Sequence, residues 1–473
     1  MGSEIREACG LFGVWNIPDA VELTFKGLFT LQHRGQEGAG IVSSNRERLR
    51  IHRGLGLVSE VFNSADLDLL SNPIAIGHVR YSTAGSPTLQ NAQPILVDYW
   101  RGQVAVAHNG TLVNAQVLRR DFEAAGSIFQ TTSDTETIVH LIARPGFNEN
   151  RSAILQAVQE IKGAFCLLIL TPRELVAVRD PHGFRPLCLG MLEGSYVVAS
   201  ETCALDLLGA KFVREIEAGE ALFIDDWGLD SRRFGETQNH RAQCIFEKIY
   251  FARPDSRLND ESVHLFRQRL GRQLAREHEV DADVVFPVPD SGNSAAQGYA
   301  LESGIPLDQG FIRNHYVGRT FIDPDAKDRG RKVNMKLNTV EEVIRDKRVI
   351  VVDDSVVRGV TTLEKIKQLR EVGPKEIHLR VSCPPIKNPC FYGIDFPTKE
   401  ELIANEREVA DIAKMLDVDS MGYLSVEGML SCVPDEQKDY CHACFSGDYP
   451  VQIDPNQTKE MLEHPEDQDD AGL

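Results

Sequence analysis

The sequence predicts two architectures in series, an α+β half to about Arg233 and then an α/β half built on a parallel sheet. In the first half, short β-like runs punctuated by glycine interleave with helical patterns, as in sheets that carry helices on their outer faces. In the second, strands and helices alternate singly, the βαβ pattern of a parallel sheet with right-handed crossovers. Within that half, Val349, Ile350, Val351 and Val352 are four apolar β-formers without polar alternation, which reads as a strand buried on both faces.

Taken in order, the first-half runs at 74–79, 104–107, 165–170, 175–178 and 196–199 are rich in Val, Ile, Leu and Phe. Helical spacing appears at 22–32, 134–143 and 151–161. The stretch 230–240 is polar and poor in apolar residues, so the domain boundary is placed there. Beyond it come a helix at 261–279, a strand at 284–288, a helix at 294–303, the strand at 348–352, a helix at 363–372 and a strand at 376–382. Between Arg319 and Leu337 lies a charged, weakly periodic segment, longer than a routine connection and therefore a lid candidate. From Val451 the tail carries seven acids and one lysine and is expected to be disordered.

The bulk properties exclude several functions. With 473 residues there is room for two or three domains, each with its own core. A hydrophobic content of 42% and a charged content of 26% suit a globular chain. The net charge of -19 argues against nucleic-acid binding, which needs a basic footprint. No apolar run approaches the roughly 20 residues of a membrane span, and no secretory signal opens the chain. Ten cysteines in so long a chain are too few for a disulfide scaffold, so a reducing cytoplasm is expected.

The buried run ends in Asp353 and Asp354, followed by Ser355, Arg358, Gly359, Thr361 and Thr362 and then the helical pattern. The carboxyl end of a parallel strand, followed by a helix N-terminus, is where open α/β sheets bind phosphorylated ligands. Hydroxyls and backbone N–H groups suit a phosphate monoester. The two carboxylates cannot face it directly and are better placed to hold sugar hydroxyls or a metal. Cys9, in Glu-Ala-Cys-Gly-Leu-Phe-Gly, carries a different chemistry. If residues 1–8 are a leader that is removed, Cys9 becomes the N-terminus. Its own α-amine, a group that ordinarily titrates at about pH 7.7–8.0, then serves as base for its thiol.

Cys9 to Gly13, Leu31 to Gly40, Gly77 to Thr83, Ala107-His108-Asn109-Gly110, Ser133-Asp134-Thr135-Glu136 and Arg179 to Leu187 resemble the N-terminal-nucleophile glutamine amidotransferases. The resemblance implies an αββα sandwich over residues 9–235, with Cys9 attacking the glutamine amide and releasing ammonia. It implies that Asn109 and the Gly110 N–H form an oxyanion hole, where such donors supply about 3–4 kcal/mol. Arg80 and Asp134 would clamp the substrate's α-carboxylate and α-ammonium. Arg34 is assigned to the glutamine pocket as a buttress.

Val351 to Thr362 resembles the type I phosphoribosyltransferase signature, which implies a parallel-sheet domain over 236–450 followed by the tail at 451–473. Asp353 and Asp354 would engage the ribose hydroxyls or the Mg²⁺ of phosphoribosyl pyrophosphate (PRPP), with the 355–362 loop on its 5′-phosphate. Asp290 to Ser294 would be the pyrophosphate loop, with Ser291 a metal contact. Arg319 and Lys336 are the lid's candidate cations.

The fusion of the two halves resembles the PRPP-dependent glutamine amidotransferases. That implies conversion of PRPP to 5-phosphoribosylamine with release of glutamate and pyrophosphate, as the first step of purine synthesis. It also implies inhibition by purine nucleotides and a homo-oligomer, commonly a tetramer. Cys441-His442-Ala443-Cys444 alone reads as a redox pair, a metal site or coincidence. One branch of the family holds a [4Fe–4S] cluster, and Cys244, Cys390, Cys441 and Cys444 fall where its ligands lie, with Cys₄ zinc as the alternative. Two rival functions are a glutaminase serving another sugar phosphate, as in hexosamine-phosphate synthesis, and a silent nucleotide-sensing regulator. The 353–362 motif argues against the first, and the intact Cys9 constellation against the second.

Overall fold

The computed structural model describes residues 9–81, 88–235, 241–314, 337–396, 398–434 and 440–453. The expected leader, the lid with Arg319 and Lys336, residues 236–240 of the expected boundary and the tail from 454 onward lie outside these described residues.

Among the described residues, the glycine-punctuated runs of the first half form thirteen strands. They are β1 (Gly10–Val14), β2 (Gly38–Ser44), β3 (Leu49–Leu55), β4 (Ile74–Arg80), β5 (Ile95–Tyr99), β6 (Gly102–Leu112), β7 (Gly163–Thr171), β8 (Glu174–Arg179), β9 (Cys188–Leu192), β10 (Ser195–Ala199), β11 (Lys211–Glu215), β12 (Glu220–Asp225) and β13 (Gly228–Arg233). They pair antiparallel into one sheet of order β11-β9-β10-β1-β4-β2-β3 and another of order β13-β12-β8-β7-β6-β5. Leu11, Ile76, Ala107, Leu168, Ala177 and Val198 pack between the sheets.

The outer face of the first sheet is covered by the helix Ala20–Thr30, whose Val21 and Leu28 pack with Phe12. The second is covered by Thr135–Ala143 and Asn150–Glu160, through Ile138, Ile142 and Ile154. The layers therefore run α, β, β, α, as expected. All nine residues of β7 are buried, which is why its sequence shows no polar alternation.

The linker expected at 230–240 begins inside the sandwich instead. β13 pairs with β12 along its whole length, and Phe234 beyond it is buried. As an edge strand with exposed polar side chains, β13 carries the composition of a loop.

The second half continues with β14 (Gln243–Cys244), β15 (Arg257–Leu258), β16 (Glu261–Ser262), β17 (Val284–Pro287), β18 (Phe311–Arg313), β19 (Leu337–Thr339), β20 (Arg348–Asp353), β21 (Glu376–Val381), β22 (Ser420–Tyr423) and β23 (Tyr440–Cys441). Strands β17, β20, β21 and β22 form a parallel sheet in that order, so the buried valine run is a central strand. The helices Val263–Glu277 and Asn293–Ser303 cross at Gly271 and Gly298, where a Cβ would meet a carbonyl oxygen at 1.9 Å. Ser262 caps the first of them, accepting from Leu265 N, so it starts two residues later than its periodicity suggests.

Candidate functional site

Cys9 stands immediately ahead of β1. Since Gly10 pairs with Val79, Cys9 lies beside Arg80 at the end of β4. Its Sγ donates to the Tyr81 carbonyl at 3.5 Å. Burial pushes the Cys9 thiol up, Arg80 pulls it down, and Asp134 and Glu37 push it up again. One cation, Arg80, and two anions, Asp134 and Glu37, therefore lie within electrostatic reach of the sulfur. Asp134 precedes the helix Thr135–Ala143 and accepts from Leu112 N at 3.0 Å. Burial alone would raise its carboxyl, but His108, with Nδ1 at 3.5 Å, and the Leu112 and Thr135 N–H groups hold it below the usual range. The role of His108 is not evident from sequence, although the residue sits inside the Ala-His-Asn-Gly motif.

Asn109 and Gly110 lie on β6. The Asn109 amide is fully buried, and neither its nitrogen nor its oxygen has a partner among the described residues. Gly110 has a φ of +143°, and a Cβ there would stand 2.0 Å from the Ala164 carbonyl oxygen. Arg34, expected as a buttress of the pocket, packs against the backbone of Cys9. Its Nε donates to the Cys9 carbonyl at 3.0 Å, while its two terminal nitrogens bind Glu201 and Glu247.

In the second half, two loops meet at the carboxyl ends of β17 and β20. Val288 N donates to Val352 O at 2.8 Å, and Gly292 sits so close that a Cβ would meet Val352 O at 2.5 Å. Ser291 and Ser355 both donate their hydroxyls to the Asp354 carboxylate, and Asp354 N donates to Asp353 at 3.0 Å. Burial, then the adjacent Asp353, push the Asp354 carboxyl up to about 7. Lys365 reaches Asp353 at 3.4 Å. Two buried acids against one lysine leave negative charge for a divalent cation, and carboxylate and hydroxyl oxygens are its preferred donors.

Gly359, with a φ of +78°, precedes the helix Val360–Val372, which opens three residues before the expected start. Thr361 and Thr362 thus belong to its first turn and not to the loop. Arg358 pairs with Glu401 at 2.8 Å. Lys336 lies outside the described residues.

Among the described residues, no group of three or more His, Cys, Asp or Glu side chains is arranged to hold a metal ion. Of the four expected cluster cysteines, the strand register brings two together. Cys244 and Cys441 are register partners in the parallel pair β14–β23. Burial pushes the Cys244 thiol up to about 12 and the Cys444 thiol up as well; Cys390 raises Cys244 further, and Cys244, Cys390 and Cys441 raise Cys444 further. Cys244, Cys441 and Cys444 are buried and Cys390 is half-buried, and cysteine sulfurs are the donors that an iron–sulfur centre takes.

Residues 78–207 match the glutamine amidotransferase domain family and residues 264–393 the phosphoribosyl transferase domain family. The chain is 48% identical to the amidophosphoribosyltransferase of Bacillus subtilis over 454 residues, 95% of each chain. It is 44% identical to that of Methanocaldococcus jannaschii, covering 94% of this chain and 98% of that one. A solved structure of the allosteric regulatory enzyme of purine biosynthesis superposes with a TM-score of 0.91 at 48% identity, covering 95% of this chain and 98% of that one. The B. subtilis glutamine PRPP amidotransferase in complex with ADP and GMP superposes at 0.90 and 47%, covering 95% and 99%.

Proposed function

Because the chain belongs to the amidophosphoribosyltransferase family, we propose that its halves divide one reaction, glutamine hydrolysis at Cys9 and ammonia capture at the 353–362 loop. The overall conversion is glutamine, PRPP and water to 5-phosphoribosylamine, glutamate and pyrophosphate, the first step of purine synthesis. The observation that carries the glutaminase assignment is a buried thiol set beside Arg80 by the β1–β4 register, with the Asp134 carboxylate also within electrostatic reach. A free amino acid presents one charge of each sign for Arg80 and Asp134 to pair.

With residues 1–8 removed, the Cys9 α-amine takes the thiol proton and the sulfur attacks the side-chain amide carbon. Asn109 and the Gly110 N–H donate to the oxyanion. The amine returns the proton as ammonia departs, leaving a thioester that water opens to glutamate.

At the second site Asp353 and Asp354 hold the ribose hydroxyls. The hydroxyls of Ser355, Thr361 and Thr362, with Arg358 and the helix N-terminus, hold the 5′-phosphate. Asp353, Asp354 and Ser291 would hold Mg²⁺, which when bound supplies positive charge to the departing pyrophosphate. Lys336 and Arg319 would act from the lid. Cys244, Cys390, Cys441 and Cys444 would hold a [4Fe–4S] cluster in a structural role, with zinc as the alternative. Iron content and visible absorbance of protein purified without air distinguish the two, and a colourless zinc protein overturns the cluster.

The two purine nucleotides bound by the B. subtilis enzyme support the same ligand class as inhibitors here. The family resemblance implies a homo-oligomer, commonly a tetramer. No described helix is long and apolar enough to cross a membrane, and ten free cysteines suit the reducing cytoplasm.

The test is to incubate the mature protein with glutamine and PRPP and to measure glutamate and pyrophosphate. Cys9→Ala is expected to lose glutamate release while still releasing pyrophosphate with ammonia. Glutamate release unaffected by the substitution refutes the nucleophile.

A further inference from the structure

A nucleophile at a chain's N-terminus has no preceding peptide bond to fix it. Its amine and thiol are oriented by its own carbonyl side. In this protein that carbonyl is held by Arg34 Nε, and Arg34 is held by two carboxylates from opposite halves of the chain. Glu201, from the sandwich, accepts from Arg34 at 2.6 Å and also from Arg253 N at 2.9 Å and Ser256 Oγ at 2.7 Å in the second half. Glu247, from the second half, accepts from Arg34 Nη2 at 2.7 Å and from Arg185 Nη1 at 2.8 Å. Arg185 then donates from Nη2 to the Tyr392 carbonyl at 2.7 Å, back in the second half. The Arg34, Arg185, Glu201 and Glu247 side chains are all fully buried. Water therefore cannot substitute for a missing partner.

We propose that Glu247 is a positioning residue for the glutaminase reaction, a carboxylate through which the phosphoribosyltransferase half sets the orientation of Cys9. The inference rests on Cys9 being the glutaminase nucleophile. It gives the second half a continuous route of contacts to the first: Cys9 carbonyl, Arg34, Glu247, Arg185, Tyr392 carbonyl. Displacing a reacting group by about 1 Å costs on the order of 100-fold in rate. A small rotation of Arg34 is therefore enough.

The test compares Glu247→Gln with wild type in glutamine-dependent and ammonia-dependent synthesis, both with PRPP. The expected result is a fall in glutamine-dependent kcat of about 10- to 100-fold, with KM for glutamine nearly unchanged and the ammonia reaction retained. Equal losses in the two reactions, or no loss in either, overturn the proposal. If Glu247→Gln does not fold, Arg185→Gln decides, because it cuts the same chain one link further from Cys9. It is expected to show the same split with a smaller loss, and an unsplit loss or none overturns the proposal. Wild type that releases no glutamate from glutamine refutes the underlying reading instead, so the two failures are distinct.

Discussion

Asn109 occupies a buried site in which both ends of its amide lack a partner among the described residues. An unsatisfied buried polar group costs about 1–3 kcal/mol. Such a cost is tolerated where a transient charge later supplies the partner. Asn109→Ala is therefore expected to lower kcat for glutamine hydrolysis by about 10²–10³-fold while leaving the melting temperature equal to wild type or slightly above it. A steady-state assay and a thermal melt check the two halves of that expectation, and a marked loss of stability would show the amide to be structural. Its neighbour Gly110 tolerates no side chain at all, since a φ of +143° and an oxygen at 2.0 Å combine there. The residue types of this site are legible in the sequence because thiol, amide, guanidinium and carboxylate each bring a chemistry. The partners that hold Arg34 are not, because they include Glu247, more than 200 residues away.

At the scale of elements, the loop between β20 and the helix Val360–Val372 shows what periodicity reads and what it omits. The valine run announces the strand, but Val360, Thr361 and Thr362 carry no helical spacing of their own and read as loop. The helix starts at Val360 because Gly359 takes the left-handed conformation that turns the chain into it. A Cβ at Gly359 would also stand 2.5 Å from Ile403 Cδ1. Gly359→Ala is thus expected to cost at least the 1–2 kcal/mol of a left-handed alanine, weakening PRPP binding roughly 5- to 30-fold. Glutamine hydrolysis measured without PRPP is expected to stay at wild-type rate, and isothermal titration with PRPP checks the first part. Central strands are legible for a physical reason, since burial on both faces leaves an unbroken apolar run, as in β7 and β20. Edge strands such as β13, and β3 with its exposed and half-exposed positions, escape the sequence reading because solvent on one side removes that signature.

Over the whole molecule, the two halves are joined by a buried charge cluster, and its pH dependence follows from its signs. Burial alone would raise the Glu201 and Glu247 carboxyls. His33 and Arg34 pull Glu201 well below its ordinary value, and Arg34 and Arg185 pull Glu247 below its own. A carboxyl depressed in the folded state stabilises that state above its unfolded pKa, and the contribution is lost as pH falls through the folded value. The unfolded reference is the ordinary glutamate value of 4.5. The cluster's contribution is therefore flat at neutral pH and declines only below the ordinary carboxylate range. Removing one member of a buried ion pair costs about 3–5 kcal/mol, because the partner charge stays buried without compensation. Glu247→Gln is accordingly expected to unfold more easily than wild type at pH 7 by about that amount, with the difference shrinking steadily below pH ~4 as wild-type Glu247 itself takes up a proton. Denaturant titrations at pH 7, 5 and 3.5 measure it. A difference that is constant across that range would mean that the fold does not depress the Glu247 carboxyl, and the salt-bridge reading of the link from Cys9 to Tyr392 would fail.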